Sequence, residues 1–542
     1  MSEQKSGTID PTMIAVGALG SVVLAYALWE KTAVARYLLW KIHGGQVVAI
    51  GILIVVMAIL FVSISIYNWW VLRDYDSAIT GKDDTAVYLG KNEARKDTYL
   101  KQIFRTSHTL LTGTTSTGKS ESVVLPWAIH DIEKGNGLLI IDGKADNSFL
   151  EKLYAHVVKN KRVADFKFFS LANIEKSATF NPLAGGTAQE VAERVFASFP
   201  FENEYYKNVQ YKIFYGLLRL IHERDRTPTF ALVERLLNDH ALLTLWLKDC
   251  DDKSLKRQLT KFNEEKESDK AQKISGLDST LNKFSSGETA LLYNSSSPHI
   301  QMDEVLRENQ ICYFQLPTMY YPYLAQATGT LVLQAFQAAV SKRHLGLGGS
   351  NPRFFSCYLD DFQDYMYEKF AGLLNKSRSA NVGVLFSHQS LGDLDKVSPA
   401  FRNIVLTCAN IKIVMRTPEP ETCDYFSKTF GTVKTEKFTE RTSHDGLGEH
   451  RTGEKSVREV DEFRINPNTI KELNVGEGIV SIPHPKGVKT LKVNFAMREN
   501  LPPSTMPDIP KELPPEEDEM DETGEDDSVL PKAMAPAHDK VI

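Results

Sequence analysis

Cysteine is scarce. The five present (Cys250, Cys312, Cys357, Cys408 and Cys423) lie far apart with no CxxC pair. This spacing excludes a disulfide framework and a cysteine zinc site, and fits buried thiols in a reducing compartment. The histidines show no metal-ligand spacing, and no Ser/His/Asp arrangement is evident, so nucleophilic or metal-centred hydrolysis has no support. No internal repeat is present. The chain also lacks a strong charge of one sign. Its formal charge of −6 is uneven, because ten acids stand against one lysine between Lys511 and Asp527, leaving a slightly basic body. Such a body is compatible with nucleic acid without demanding it. What the chain does have is length, 542 residues with 42% apolar content, enough for two or three folded parts with ample core.

The most informative stretch is Gly113-Thr114-Thr115-Ser116-Thr117-Gly118-Lys119-Ser120. His108 to Thr112 before it is short, apolar and β-prone, and the residues after Ser120 read as a helix start. Strand, glycine loop and helix are the context in which GxxxxGK[ST] binds a nucleotide. Gly113 and Gly118 let the backbone N–H groups turn inward around phosphate oxygens, and the helix N-terminus adds partial positive charge. Lys119 reaches the β/γ-phosphates, and Ser120 offers a hydroxyl to Mg²⁺.

Two runs, Thr12 to Trp29 and Gln46 to Leu72, carry no acidic or basic side chain and are long enough to cross a bilayer. Lys31, Arg36 and Lys41 between them favour a cytoplasmic loop. A nucleotide site facing cytosolic ATP, with Arg73, Lys82, Lys91, Arg95 and Lys96 beyond the second run, favours the opposite orientation, which is adopted. Buried strands are expected at Gly137–Asp142, Ala164–Leu171, Ile311–Leu316, Phe354–Leu359, Val382–Phe386 and Ile411–Met415, with a helix from Leu324 to about Lys342. Thr187 to about Leu291 shows helical spacing, and the mixed charges of Lys248 to Lys273 read as a solvated helix face. Val433 to Phe463 reads as a polar loop. Gly478–Ile482 and Val488–Phe495 read as a hairpin, and the end from Leu501 as too apolar-poor to fold alone. The expected fold is α/β, with a parallel-type sheet, an all-α insertion and two N-terminal membrane helices. The expected divisions are a membrane anchor over 1–75, nucleotide-binding parts over 76–183 and 301–500, an all-α part over 184–300 and an acidic tail over 501–542.

Asp360-Asp361 follows an apolar strand, where the first carboxylate can hold the Mg²⁺ shell and the second can polarise water. Gln389 ends another strand and can orient water or sense the γ-phosphate. His388 reads as packing or capping. Tyr320, Tyr321 and Tyr323 form an aromatic cluster that could stack DNA bases, and packing at a strand end is the preferred reading. Phosphoryl transfer to water is the chemistry this set supports.

Taken together, the membrane runs, SHTLLTGTTSTGKS, IIDGKAD, Phe180-Asn181-Pro182-Leu183, YLDDF, LFSHQSLGDL and ANIKIVMRTPEPETCDYFSKTFG resemble the coupling-protein ATPases of conjugation and type IV secretion. These are RecA-like motors related to septal DNA translocases. The resemblance covers about residues 100 to 495. It implies a homo-hexamer on the bacterial inner membrane, with the ATPase domain cytoplasmic, that uses ATP and Mg²⁺. Such a ring recruits a relaxase–DNA complex, acts on single- or double-stranded DNA and feeds a type IV secretion channel. Protein effectors as cargo, or a non-hydrolysing receptor, are the alternatives. It also implies an arginine acting from a neighbouring subunit, for which Arg378 and Arg416 stand at matching positions, and an adaptor protein at the acidic tail. The family carries Asp-Glu where this chain has Asp360-Asp361.

Overall fold

The structure is a computed structural model. It describes Trp29 and residues 51–66, 83–347 and 352–511, except positions 200, 202, 362–364, 366, 368–369, 446–447 and 485–486. The chain forms two units, Met1–Lys82 and Asp83–Ile542. In the first, residues 51–66 are helical with exposed apolar side chains such as Phe61 and Leu53. Among the described residues no helix is long and apolar enough to cross a membrane. The first expected span, apart from Trp29, lies outside the described residues, as do both ends of the second and the acidic run from 512 onward.

In the second unit the described strands are β1 (Val87–Asn92), β2 (Asp97–Leu100), β3 (Thr109–Thr112), β4 (Gly137–Asp142), β5 (Phe166–Ser170), β6 (Ile311–Gln315) and β7 (Phe355–Asp360). They continue with β8 (Val382–His388), β9 (Ile411–Met415), β10 (Thr432–Asp445), β11 (Gly448–Phe463), β12 (Glu477–His484) and β13 (Gly487–Phe495). Eleven of them make one sheet in the order β2-β1-β13-β12-β9-β3-β8-β7-β4-β6-β5. From β9 to β5 the neighbours run parallel. From β9 to β2 they run antiparallel. The parallel expectation therefore holds for the half bearing the glycine loop, and the whole sheet is mixed. For β12–β13 and β1–β2 the reason is connection length, because a few residues permit only antiparallel pairing, whereas parallel neighbours need long crossovers.

The strands around β3 are buried on both faces, as their unbroken apolar runs require. Between β5 and β6 the chain is helical, and most of its helices open on a side-chain cap. Thr187 and Glu190 form a capping box; Asn203, Thr229, Asp239 and Asp252 accept N–H bonds in the first turns of the others. Leu255, Leu259 and Phe262 bury one stripe of Lys253–Asn263 while its charges face water. The long helix Pro322–His344 packs between these helices and the sheet, so one apolar core runs through both.

Val433 to Phe463 is not a loop. β10 and β11 pair as a long antiparallel ribbon from Thr432↔Phe463 to Asp445↔Gly448. Interleaved β-branched and charged residues suit strand pairing, and the ion pairs Lys434–Glu459 at 3.2 Å and Lys437–Glu462 at 2.7 Å cross it. Beyond β13 the chain runs as a strap. Arg498 meets Glu133, the Glu499 carbonyl lies 3.2 Å from His156 Nε2, and Ile509 N–H donates to the Glu175 carbonyl.

Beneath the sheet, Arg105 is clamped by Asp131 (Nη1–Oδ1 2.8 Å, Nη2–Oδ2 2.7 Å) and also donates to Tyr358 Oη at 2.7 Å. Its guanidinium lies over the rings of Trp127 and Phe354. Burial pushes the Asp131 carboxyl up, but the Arg105 charge and hydrogen bonds outweigh it and hold it below the usual range. The pair ties the helix after the glycine loop (Leu125–Glu133) to the strand that ends in Asp360. Asp131→Ala should cost about 3–5 kcal/mol by strapping an unpaired guanidinium inside the protein, and denaturant unfolding checks it. Burial also holds His108, His130 and His388 down, from 6.5 to about 4. The unfolded chain takes up these protons first, so the melting temperature should fall as pH drops from about 6.5 towards 4; below that the histidine share of the loss is complete, and protonation of depressed carboxylates such as Asp131 carries the fall further.

Candidate nucleotide site

The glycine loop joins β3 to a helix that begins with a π-type turn over Lys119–Val124. Gly118 has φ +92°, and a Cβ there would stand 2.9 Å from Ser122 Oγ; a Cβ on Gly113 would meet Met415 Cβ at 3.0 Å. The loop closes around room that only glycine leaves. It is anchored on both sides. Gly113 N–H donates to the His388 carbonyl (3.3 Å), Thr114 N–H to the Arg416 carbonyl (3.1 Å), and Gly476 N–H to the Thr117 carbonyl (3.0 Å). The buried Lys119 ammonium curls back to the carbonyls of Gly113 (2.6 Å) and Thr114 (3.2 Å). Burial lowers its pKa, with Lys144 adding to this and Asp360 and Asp361 opposing it.

Parallel pairing of β3, β8, β7 and β4 sets their carboxyl ends side by side, where α/β sheets gather ligands. Asp360 is the result. Its Oδ2 accepts from Ser120 Oγ and its Oδ1 from Ser387 Oγ, each at 2.5 Å. Asp361 follows with φ +47°, in the left-handed region, and is 2% exposed. Its Oδ2 pairs with Lys144 Nζ at 2.6 Å, and its buried Oδ1 has no hydrogen-bond partner among the described residues. Burial pulls the Lys144 ammonium down, but the Asp361 bond and the charges of Asp360 and Asp142 outweigh it, and the net direction is up. Asp142 faces Asp360 across β4 and β7. It accepts from Tyr313 Oη and from the N–H groups of Lys144, Ala145 and Asp146. Burial, with the Asp360 charge adding to it, pushes its pKa up to about 6.

The structure thus brings together Gly113 to Ser120, Asp360 and Asp361. Gln389, half-buried at the end of β8, donates its backbone N–H to Asp393 at 3.1 Å. His388 bonds Thr112 Oγ1 and the Ser390 carbonyl, a packing role as expected. Arg416 borders the loop through its carbonyl, with an exposed side chain. Arg378 is exposed at the amino end of β8, on the opposite edge of the strands from the glycine loop. Ser387, Asp142 and Lys144 were missed as site residues. Ser387 is signalled only by sitting one residue before His388 at a strand end, and Lys144 only by the turn after the acidic strand end. Tyr320 is also corrected: it is 70% exposed, not packed.

The family model for the TraM recognition site of TraD and TraG matches residues 355–474, from β7 through the ribbon. The Type 4 coupling protein DotL of Legionella pneumophila is 21% identical over 475 residues, which are 73% of this chain; the chain spans 60% of that relative's length. By these matches the chain is similar to the type IV coupling proteins. Among solved structures, the unbound bacterial conjugative coupling protein TrwB superposes with a TM-score of 0.57 at 13% identity, covering 80% of this chain and 93% of that one. The plasmid coupling protein TrwB in complex with a non-hydrolysable ATP analogue also gives 0.57, at 15% identity, covering 79% and 94%. These likenesses show that the chain has the fold of TrwB. The expected RecA-like α/β core is therefore present.

Ser387→Ala should lower stability by about 1–3 kcal/mol, because it removes a donor to a buried carboxylate, while Ser387→Thr should keep most of it. Chemical denaturation of the two variants side by side checks this.

Proposed function

We propose that the chain is an ATP-driven coupling protein that hands a relaxase–DNA complex to a type IV secretion channel at the inner membrane. The observation that carries this reading is the convergence of Ser120 Oγ and Asp360 at 2.5 Å beside a glycine loop with no room for a Cβ. A serine hydroxyl and a carboxylate form the hard-oxygen pair that Mg²⁺ takes, and the orphaned Asp361 Oδ1 leaves an acceptor for a water proton. The residues fit the Mg²⁺-nucleotide. The ion, when bound, neutralises charge on the β- and γ-phosphate oxygens.

In this reading Lys119 leaves the Gly113 and Thr114 carbonyls for phosphate oxygens, and the loop amides of Thr114 to Lys119 hold the rest. Asp361 orients water and accepts its proton, and Gln389 senses the γ-phosphate side. The one-methylene-shorter Asp361 is held in place by its left-handed backbone and by Lys144. Arg378 cannot serve the site of its own chain from the far end of the strands, so its action requires a second copy, consistent with a hexameric ring. Arg416 stands beside the loop and is the other arginine of this kind. The acidic tail offers carboxylates to a basic adaptor, and residues 12–29 and 46–72 anchor the protein in the membrane. The relatives named above are coupling proteins, which supports this assignment. DNA or protein cargo is decided by which of them stimulates turnover.

Lys119→Ala should cut ATP turnover by about a hundredfold or more. Asp361→Asn should lower kcat by about 10²-fold or more with little change in KM for ATP. In steady-state assays of the full-length protein, turnover per subunit should rise with protein concentration as rings form. A Lys119→Ala protein with wild-type turnover would remove the nucleotide assignment.

A further inference from the structure

The glycine loop and acidic pair do not account for the surface directly beside them. After β6 the chain forms a tight loop, Pro317 to Tyr321, where the N–H groups of Tyr320 and Tyr321 donate to the Pro317 carbonyl at 3.0 and 2.9 Å. Its tip is bare: Met319 is 100% and Tyr320 70% exposed. The rings of Tyr320 and Tyr321 meet edge to face with centroids 4.5 Å apart, and Tyr321 Oη is fixed to Glu288 at 3.0 Å. Lys283 Nζ lies 3.6 Å from the centre of the Tyr323 ring. An exposed aromatic face backed by braced rings and a cation is costly in water, and it suits a partner with flat π-faces and negative charge.

The same loop is bonded to the acidic site. Leu316 N–H donates to the Asp142 carbonyl (2.9 Å), and both Thr318 N–H (3.3 Å) and Thr318 Oγ1 (3.0 Å) donate to the Gly143 carbonyl. The next residue is Lys144, whose ammonium holds Asp361 at 2.6 Å. The turn between them has little slack, because the Asp142 carboxylate accepts the N–H groups of Lys144, Ala145 and Asp146. A shift of the loop therefore has to move the Lys144 backbone. Asp361, in a left-handed conformation with one oxygen unpartnered, has no other described side-chain bond to keep it in place.

We propose that Lys144 is a positioning residue that couples the exposed Met319–Tyr320 loop to Asp361, and that the loop grips single-stranded nucleic acid. The inference rests on the ATPase reading above and adds how cargo reaches the site. Tyr320 stacks on bases with Met319 beside it, Lys283 over Tyr323 supplies positive charge to the same segment, and the pull passes through Thr318 and Gly143 to the Lys144–Asp361 pair. A gripped strand and an empty loop then leave Asp361 in different places, which changes the rate of proton acceptance without changing nucleotide affinity.

Two measurements on the full-length protein test this. In the first, anisotropy of a fluorescent single-stranded oligonucleotide is read without nucleotide, and Tyr320→Ala should weaken binding about fivefold or more. Unchanged binding overturns the loop assignment, whatever the ATPase shows. In the second, ATP turnover is read with and without the oligonucleotide. Lys144→Ala should lose most of the stimulation while KM for ATP stays within about twofold, and Lys144→Arg should regain it. The Tyr320→Ala/Lys144→Ala pair should be no worse than the poorer single variant, since both break one linkage. Stimulation that survives Lys144→Ala, or losses that simply add, overturns the coupling. Stimulation by an unfolded polypeptide and not by the oligonucleotide overturns the choice of partner. Failure of the underlying reading is seen separately, as turnover that survives Lys119→Ala.

Discussion

Asp360 holds two hydroxyls at once, one from the start of the glycine-loop helix and one from β8. Those contacts are possible only because β3, β8 and β7 lie next to one another in parallel, with their carboxyl ends level. The crossovers that make such neighbours must be long, and here they are filled by helices that also supply the core. A carboxylate that touches both β3's loop and β8 thus depends on the sheet order and on the helical layers that fill its crossovers. The antiparallel half of the sheet contributes differently, for Gly476 at the head of β12 closes the glycine loop from the other flank.

Charge balance governs the interior. Lys119, Lys144, Asp142, Asp360 and Asp361 share one crowded end of the sheet, and three ionised carboxylates there would exceed two ammoniums. The imbalance falls on Asp142, whose pKa burial and the neighbouring Asp360 push up to about 6 despite four hydrogen bonds. Beneath the sheet the rule is stricter. Arg105 and Asp131 are both inside, and each is matched in charge and in hydrogen bonds by the other and by Tyr358. One pair stiffens the frame, and the other, between Lys144 and Asp361, leaves an acceptor oxygen uncommitted.

Much of this was legible in the residues. GLLIID, ICYFQL, FSCYLD and VGVLF are almost wholly apolar runs, and each became a buried strand, the first and third ending in the carboxylates Asp142 and Asp360. The glycine loop and Asp360 declared themselves by local pattern, and the hairpin of β12 and β13 by its Pro/Gly turn. What escaped was set by tertiary contact. Ser387 matters because of which strand lies beside it, a fact with no local signature. Val433 to Phe463 looked like a loop because charges fall at odd and even positions alike, yet interleaved β-branched residues and opposite charges across the ribbon make a strand pair. Tyr320 resembled a packing residue because aromatics at strand ends usually pack, but the tight turn at Pro317 throws it outward.

The order in which the chain is made has a bearing on the glycine loop. Thr112 bonds His388, 276 residues further on, and β3 pairs with nothing nearer in sequence than β8 and β9. Leu110 and Leu111 must therefore wait, unpaired, until the ribosome has delivered the last third of the protein, and the loop is not boxed in until Gly476 emerges. Such distant pairing is slow and leaves apolar strand edges open in the meantime. A nascent chain stalled before β8 would carry the complete glycine-loop sequence without the strands and the Gly476 contact that hold the loop in shape.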